Sequence, residues 1–211
     1  MIQWVSIMVS KRSKRRNFSS SSLDDAIKEV SIKKLIPWLI EADPIEPSDL
    51  FKAILDRLKQ FDTRSNERGR ELIIDAILAE AIVSFKHLKI WKGAALNSDE
   101  LNGEADYLIT DDKDYLESPF LCVVEAKKDD FEKGLAQCLV EMKVCWLNNL
   151  DLGRKIEVLG IVTNGSGWKF YRWAGVGKVY ETSMYGEHEM PAVFGALHHV
   201  LQLCDRSLNE D

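Results

Sequence analysis

Apolar residues recur along this chain in two periods, and the change from one to the other divides it. Over residues 66–85, Ile74, Ile77, Leu78, Ala81, Ile82 and Phe85 fall at the spacing of one helical stripe. Ahead of that helix, residues 23–40 read as a helix that Pro37 bends or ends. Asp43-Pro44-Ile45-Glu46-Pro47 reads as a turn, and Ser48 as the cap of another helix reaching about residue 61. Beyond it, short apolar runs predict strands at residues 88–91, 104–110, 120–124, 158–163 and 168–173, the last reached through the turn Asn164-Gly165-Ser166-Gly167. Asp129 and Asp130 can cap an intervening helix with the seam Leu135, Cys138, Leu139, Met142 and Trp146. A strand near residues 178–182 and a helix over about 191–203, with Pro at its start, close the chain. This order of helix, strands, helix and strand predicts an α/β fold, a mixed sheet with helices on both faces.

The run Phe120-Leu121-Cys122-Val123-Val124 has no alternation, as expected of a strand covered on both faces. It ends in Glu125 and Lys127. Because side chains alternate along a strand, these two project to one face about 7 Å apart. The strand at 104–110 can return as an antiparallel neighbour, which would bring Asp106 toward Glu125. Two carboxylates and a lysine at a strand end form a hard, oxygen-rich pocket of the kind that holds Mg²⁺ and serves phosphate chemistry. The plainer alternative is a strand-terminal salt bridge between Glu125 and Lys127.

Asp106 followed by Glu125-Ala126-Lys127 resembles the Asp…Glu-x-Lys signature of the PD-(D/E)XK nuclease superfamily, the restriction-endonuclease-like fold. The ordered set Glu71-Leu72-Ile73-Ile74, Asn102-Gly103-Glu104-Ala105-Asp106, Val124-Glu125-Ala126-Lys127, Gly134-Leu135-Ala136-Gln137-Cys138 and Thr163-Asn164-Gly165 is similar to a bacterial branch common in cyanobacteria. It spans residues 67–173, about half the chain. The resemblance implies that Asp106 and Glu125 bind Mg²⁺, with Mn²⁺ as a substitute. It also implies that Lys127 assists the attacking water, and that a helix-borne Glu and Gln complete the site. Ala105 stands where the motif has proline, a position with no assigned chemistry.

Helix phase assigns the remaining two positions. Glu71 lies seven residues before Leu78 and shares its face, whereas Glu80 points about 180° away and is expected in solvent. The implied helix Glu is therefore carried onto Glu71, with Glu67 a weaker candidate on nearly the same face. Gln137 flanks its helix seam near the helix start, as the implied Gln requires. The helices of residues 23–65 lie outside the implied core of residues 66–211. They could serve as a lid, a DNA-contacting wall or the interface of a homodimer.

With 45% hydrophobic and 29% charged residues among 211, the chain has an ordinary globular composition and enough length for a sizeable core. No apolar run approaches the roughly 18 residues of a membrane helix. The apolar start precedes a basic cluster instead of following it, contrary to a signal peptide, so the expectation is a cytoplasmic protein without a membrane partner. Cys122, Cys138, Cys145 and Cys204 have neither zinc nor dense disulfide spacing and read as reduced core thiols. The aromatics of residues 168–173 read as packing.

Charge complicates the nuclease expectation. The formal net charge is -6, and Lys11, Arg12, Lys14, Arg15 and Arg16 supply five positives, so the remainder carries -11. Residues 1–22, with Ser19 to Ser22 after the basic cluster, read as a flexible arm. To bind nucleic acid, DNA ahead of RNA, an acidic body must gather its Lys and Arg into a groove, or depend on a tail or a partner. The alternative is a catalytically inactive nucleic-acid-binding or protein-interaction module, a partner of a larger restriction or repair system included.

Overall fold

A computed structural model describes residues 15–127, 130–175 and 177–209. Its elements are β1 (Arg16–Asn17), a 3-10 turn (Phe18–Ser20), α1 (Leu23–Glu29), β2 (Leu35–Pro37), α2 (Asp49–Leu58) and α3 (Glu67–Ile82). There follow β3 (Leu88–Asn97), β4 (Leu101–Asp111), β5 (Phe120–Ala126), α4 (Phe131–Asp151), β6 (Val158–Thr163) and β7 (Gly167–Trp173). The chain continues with β8 (Val179–Glu181), β9 (Tyr185–Gly186) and α5 (Met190–Asn209). The strands form one mixed sheet in the order β1-β4-β5-β6-β7-β8-β2, with β3 paired to β4 and β9 to β7. Helices α2, α3 and α5 contribute to the core on one face, and α1 and α4 to the core on the other. The α/β class and the mixed, helix-flanked sheet are thus as the pattern predicts.

β5 and β6 are buried at every position because both faces are covered. They run parallel, joined by the α4 crossover. Asn149, near the end of α4, accepts the Phe120 N–H and donates to the Phe120 carbonyl, both at 2.8 Å, and so fixes the start of β5 to the helix. On the α4 side Gly160 leaves room for that helix: a Cβ there would meet Met142 Sδ at 2.6 Å and Cys138 Sγ at 2.7 Å. All four cysteines are buried and free, and Trp168, Phe170, Tyr171 and Trp173 are core residues.

β4 is shared by two partners on one edge. It pairs with β1 at Leu101 and Asn102 and with β5 from Tyr107 to Thr110, while β3 occupies its other edge. The intervening residues 103–106 face no strand on that edge, so the sheet forks there.

Three expectations are corrected. The helix of residues 23–40 stops at Glu29, because Ser31 adopts a positive φ of 56°, and Leu35–Pro37 is instead a strand at the sheet's outer edge. A proline is tolerated in such an edge strand. The flexible arm of residues 1–22 overlaps ordered structure, since Phe18 is buried against Gly103, where a Cβ would lie 2.4 Å from its ring. Ser22 caps α1. Lys11, Arg12, Lys14 and Asp129 lie outside the described residues. Glu80 is half-buried, not solvated: it accepts the Ser48 N–H at 2.7 Å and the Ser48 hydroxyl at 3.0 Å, docking the start of α2 on α3. Among the described residues, no helix is long and apolar enough to cross a membrane.

Candidate active site

The fork places Asp106 at the point where β4 leaves β5. The register Tyr107↔Val124, continued by one residue, sets Asp106 opposite Glu125. Its carboxylate turns to the strand end, where Oδ2 accepts the Ala126 N–H at 2.7 Å. The chain continues to Lys127, whose own N–H donates to the Thr163 carbonyl of β6 at 2.8 Å. Lys127 therefore remains under sheet control one residue beyond β5, and its ammonium pairs with Glu125. Gly134 of α4 makes room for the lysine stem, since a Cβ there would stand 3.1 Å from Lys127 Cγ.

Glu125 is fully buried on the α4 side. Across from it α4 presents Gln137 and Glu141, one turn apart, with the Gln137 amide donating to Glu141 Oε1 at 3.0 Å. Oε2 of Glu125 and Oε2 of Glu141 are buried and receive no hydrogen bond from an amide, hydroxyl or ammonium among the described residues. The two carboxyls face one another closely enough to hydrogen bond if one carries a proton.

Burial, then the nearby carboxylates of Glu141 and Asp106, raises the Glu125 pKa far above the usual carboxylate range against the opposing pull of Lys127. Burial also raises Glu141, against the Gln137 hydrogen bond. For Lys127, burial works downward but is outweighed by Glu125, Asp106 and the more distant Glu67, so its ammonium is held above the usual lysine range. These shifts oppose each other, because a raised Lys127 needs ionised neighbours while a raised Glu125 resists ionisation. The upward shift of the glutamates is the firmer one: Glu125 is fully enclosed, whereas the Lys127 side chain keeps 19% of its surface in solvent. Three carboxyls face one ammonium, and the two enclosed glutamates resist ionisation.

Asp106, Glu125, Lys127 and Gln137 are thus brought together. Glu71 is not part of that group. Its Oε2 lies 2.9 Å from Lys92 Nζ, which also meets Asp75 at 2.8 Å, and Tyr107 donates to Asp75 Oδ1 at 2.8 Å. Glu67, one turn earlier, is the α3 carboxylate that acts on Lys127. Glu141 was missed by sequence reasoning. Its signal was a charged residue within the apolar seam, between Cys138 and Cys145 and four residues beyond Gln137.

Among the described residues, no group of three or more His, Cys, Asp or Glu side chains stands ready to hold a metal ion. Two carboxylates do fit one. Asp106 has an oxygen beyond the Ala126 bond and Glu125 has a buried oxygen without a donor, a donor set suited to Mg²⁺, which commonly uses one or two carboxylates and keeps waters. No model of a known protein family matches the chain, and no curated protein matches it.

Proposed function

We propose that the chain is a Mg²⁺-dependent phosphodiesterase that hydrolyses nucleic acid, DNA ahead of RNA, on a restriction-endonuclease-like core of the PD-(D/E)XK type. The observation that carries this reading is the enclosed Glu125 carboxyl, set against Asp106 and Glu141 with one lysine at its mouth. An excess of carboxyl oxygens over cations, one of them buried without a donor, suits a site that a cation completes by displacing the bound protons. The order α3, β3, β4, β5, α4, β6 also agrees with such a core.

Asp106 and Glu125 would hold the ion. Bound there, Mg²⁺ or Mn²⁺ would supply polarisation of a phosphoryl oxygen and a more acidic water. The chain's own groups do the rest. The Ala126 N–H fixes the Asp106 carboxylate, and the Gln137–Glu141 pair walls in Glu125. Lys127, at the boundary with solvent, steadies the attacking water and the charge that develops on phosphate. Hydrolysis forms one P–O bond to water, breaks the P–O bond to the sugar and returns a proton to the leaving oxygen.

A second reading, a catalytically inactive nucleic-acid-binding or interaction module, is favoured by the net charge of -6 and by the lack of a three-ligand group among the described residues. One experiment separates them. The protein is incubated with supercoiled plasmid, single-stranded DNA and branched DNA in Mg²⁺ or Mn²⁺, beside Lys127→Ala and Asp106→Ala. The expected result is cleavage by the wild type and not by the variants. Absence of cleavage on every substrate, together with no metal binding by calorimetry, rejects the enzyme.

A further inference from the structure

A cleft of about 680 Å³ lies between the α2–α3 connection, the first turns of α3, the β6–β7 turn and the start of α5. Its walls carry Lys59, Arg64 and Arg70 against one carboxylate, Glu187, with His188 beside it. In a chain with 34 acidic and 28 basic residues, the sign here is opposite to that of the whole. Leu55, Ile73 and Met190 add apolar lining.

Two of the cations are exposed and the third is half-buried. Lys59 pairs with Asp56, but both side chains are 74% exposed, and such pairs contribute little. Arg64 is exposed. Arg70 donates to the Arg64 carbonyl at 3.4 and 3.2 Å, which anchors its guanidinium at the wall. Asp62, the acid of this connection, is turned into its own loop, where it accepts the N–H groups of Arg64 and Ser65, both at 3.1 Å. Glu187 accepts the Ser166 hydroxyl at 2.8 Å.

The cleft adjoins the candidate active site. Asn164 on its wall follows Thr163, the residue that anchors the Lys127 N–H. Glu67, which acts on the Lys127 ammonium, precedes Arg70 by one turn of α3. Guanidinium groups match phosphate oxygens in pairs, and an apolar lining beside them suits sugar and base faces.

We propose that this cleft seats the sugar-phosphate backbone of the nucleic acid next to the phosphate that reacts, with Lys59 and Arg64 meeting flanking phosphates and Arg70 fixing the wall. The inference rests on the phosphodiesterase reading above. The cleft also offers a polyanion a locally positive surface on an acidic protein, three cations against one carboxylate.

The test is fluorescence anisotropy of the whole chain with labelled single-stranded and duplex oligonucleotides of one sequence, in EDTA so that nothing is cut, over a salt series. Lys59→Gln/Arg64→Gln alters two exposed cleft residues. Lys33→Gln/Lys34→Gln removes the same charge from exposed positions elsewhere. Two lost phosphate contacts should reduce the slope of log affinity against log salt by about 1.4 for the single strand or about 1.8 for the duplex. Affinity should fall several-fold in the cleft variant and stay unchanged in the control. The arm with the larger loss identifies the preferred form. Equal losses in both variants, or an unchanged slope in the cleft variant, overturn the cleft assignment while plasmid cleavage by wild type still upholds the phosphodiesterase. A wild type that binds neither oligonucleotide overturns the cleft, and if it also cleaves nothing, both readings fall.

Discussion

Asp106 completes the β4–β5 ladder with its side chain, Oδ2 accepting the Ala126 N–H at 2.7 Å where β4 has already turned away. One carboxylate therefore closes the sheet and, in the proposed function, would also hold the metal. Asp106→Ala leaves that N–H without its acceptor and should cost about 1–3 kcal/mol in urea unfolding. Asp106→Asn retains an oxygen acceptor, so most of the stability should return while metal binding by calorimetry and cleavage remain lost. Equal stability in the two variants would contradict the dual role.

Stability should depend on pH with a sign set by Glu125 and Glu141, both raised chiefly by burial. Below about pH 4.3 the folded and unfolded states both hold these protons. As pH rises from there toward the raised values, only the folded state keeps them, so the unfolded state binds fewer protons and stability falls, by up to about 1.4 kcal/mol per pH unit for each group. Urea unfolding at pH 5, 7 and 9 should show the decline. Glu141→Gln should flatten it, and Mg²⁺ should offset it at the upper end. A profile that rises over this range would refute the assignment.

Gly134→Ala probes the support of Lys127. The added methyl would approach Val162 Cγ1 to 2.6 Å and Lys127 Cγ to 3.1 Å. Overpacking of this kind costs about 1–3 kcal/mol. Turnover should fall by more than unfolding alone explains, because the lysine stem must shift; a fall only in the folded fraction, measured by circular dichroism, would confine the glycine to packing.

The two α3 carboxylates can be told apart by activity against pH. Glu67 supports the Lys127 ammonium, whereas Glu71 is paired with Lys92. If the ammonium form is active, Glu67→Gln should move the alkaline limb of the profile to lower pH. Glu71→Gln should leave it in place. The reverse outcome would restore Glu71 to the site.

Period and punctuation carried most of the fold. The continuous apolar run at 120–124, the cap Ser48 and the turn at 164–167 all correspond to observed features, because each is decided within a few residues. The pairings of β1 and β2 were not legible. Two- and three-residue strands have no period, and their partners, β4 and β8, lie far along the chain. Within the site, strand alternation was sufficient to place Glu125 with Lys127. Helix phase was not sufficient for α3, since it fixes a direction around the axis but not which turn lies level with the strand end. Glu71 and Glu67 differ by one turn, and Lys92 on β3 takes the former.

The stretch from Arg16 to Pro37 runs from one end of the sheet order to the other, with β1 beside β4, α1 on the face of α4 and β2 beside β8. Arg16 and Lys143 both meet Glu29 at 2.5 Å, tying this strap to α4 at its middle. The Trp38 backbone N–H donates to the Glu181 carbonyl at 2.7 Å, so by alternation Pro37 faces outward where an edge N–H would otherwise invite another strand. The strap is synthesised before either of its partners. It must wait for β4 and β8, a long-range closure that slows folding. A segment made early thus closes both ends of the sheet order late, and its docking covers the fork side of β4 and the free edge of β8.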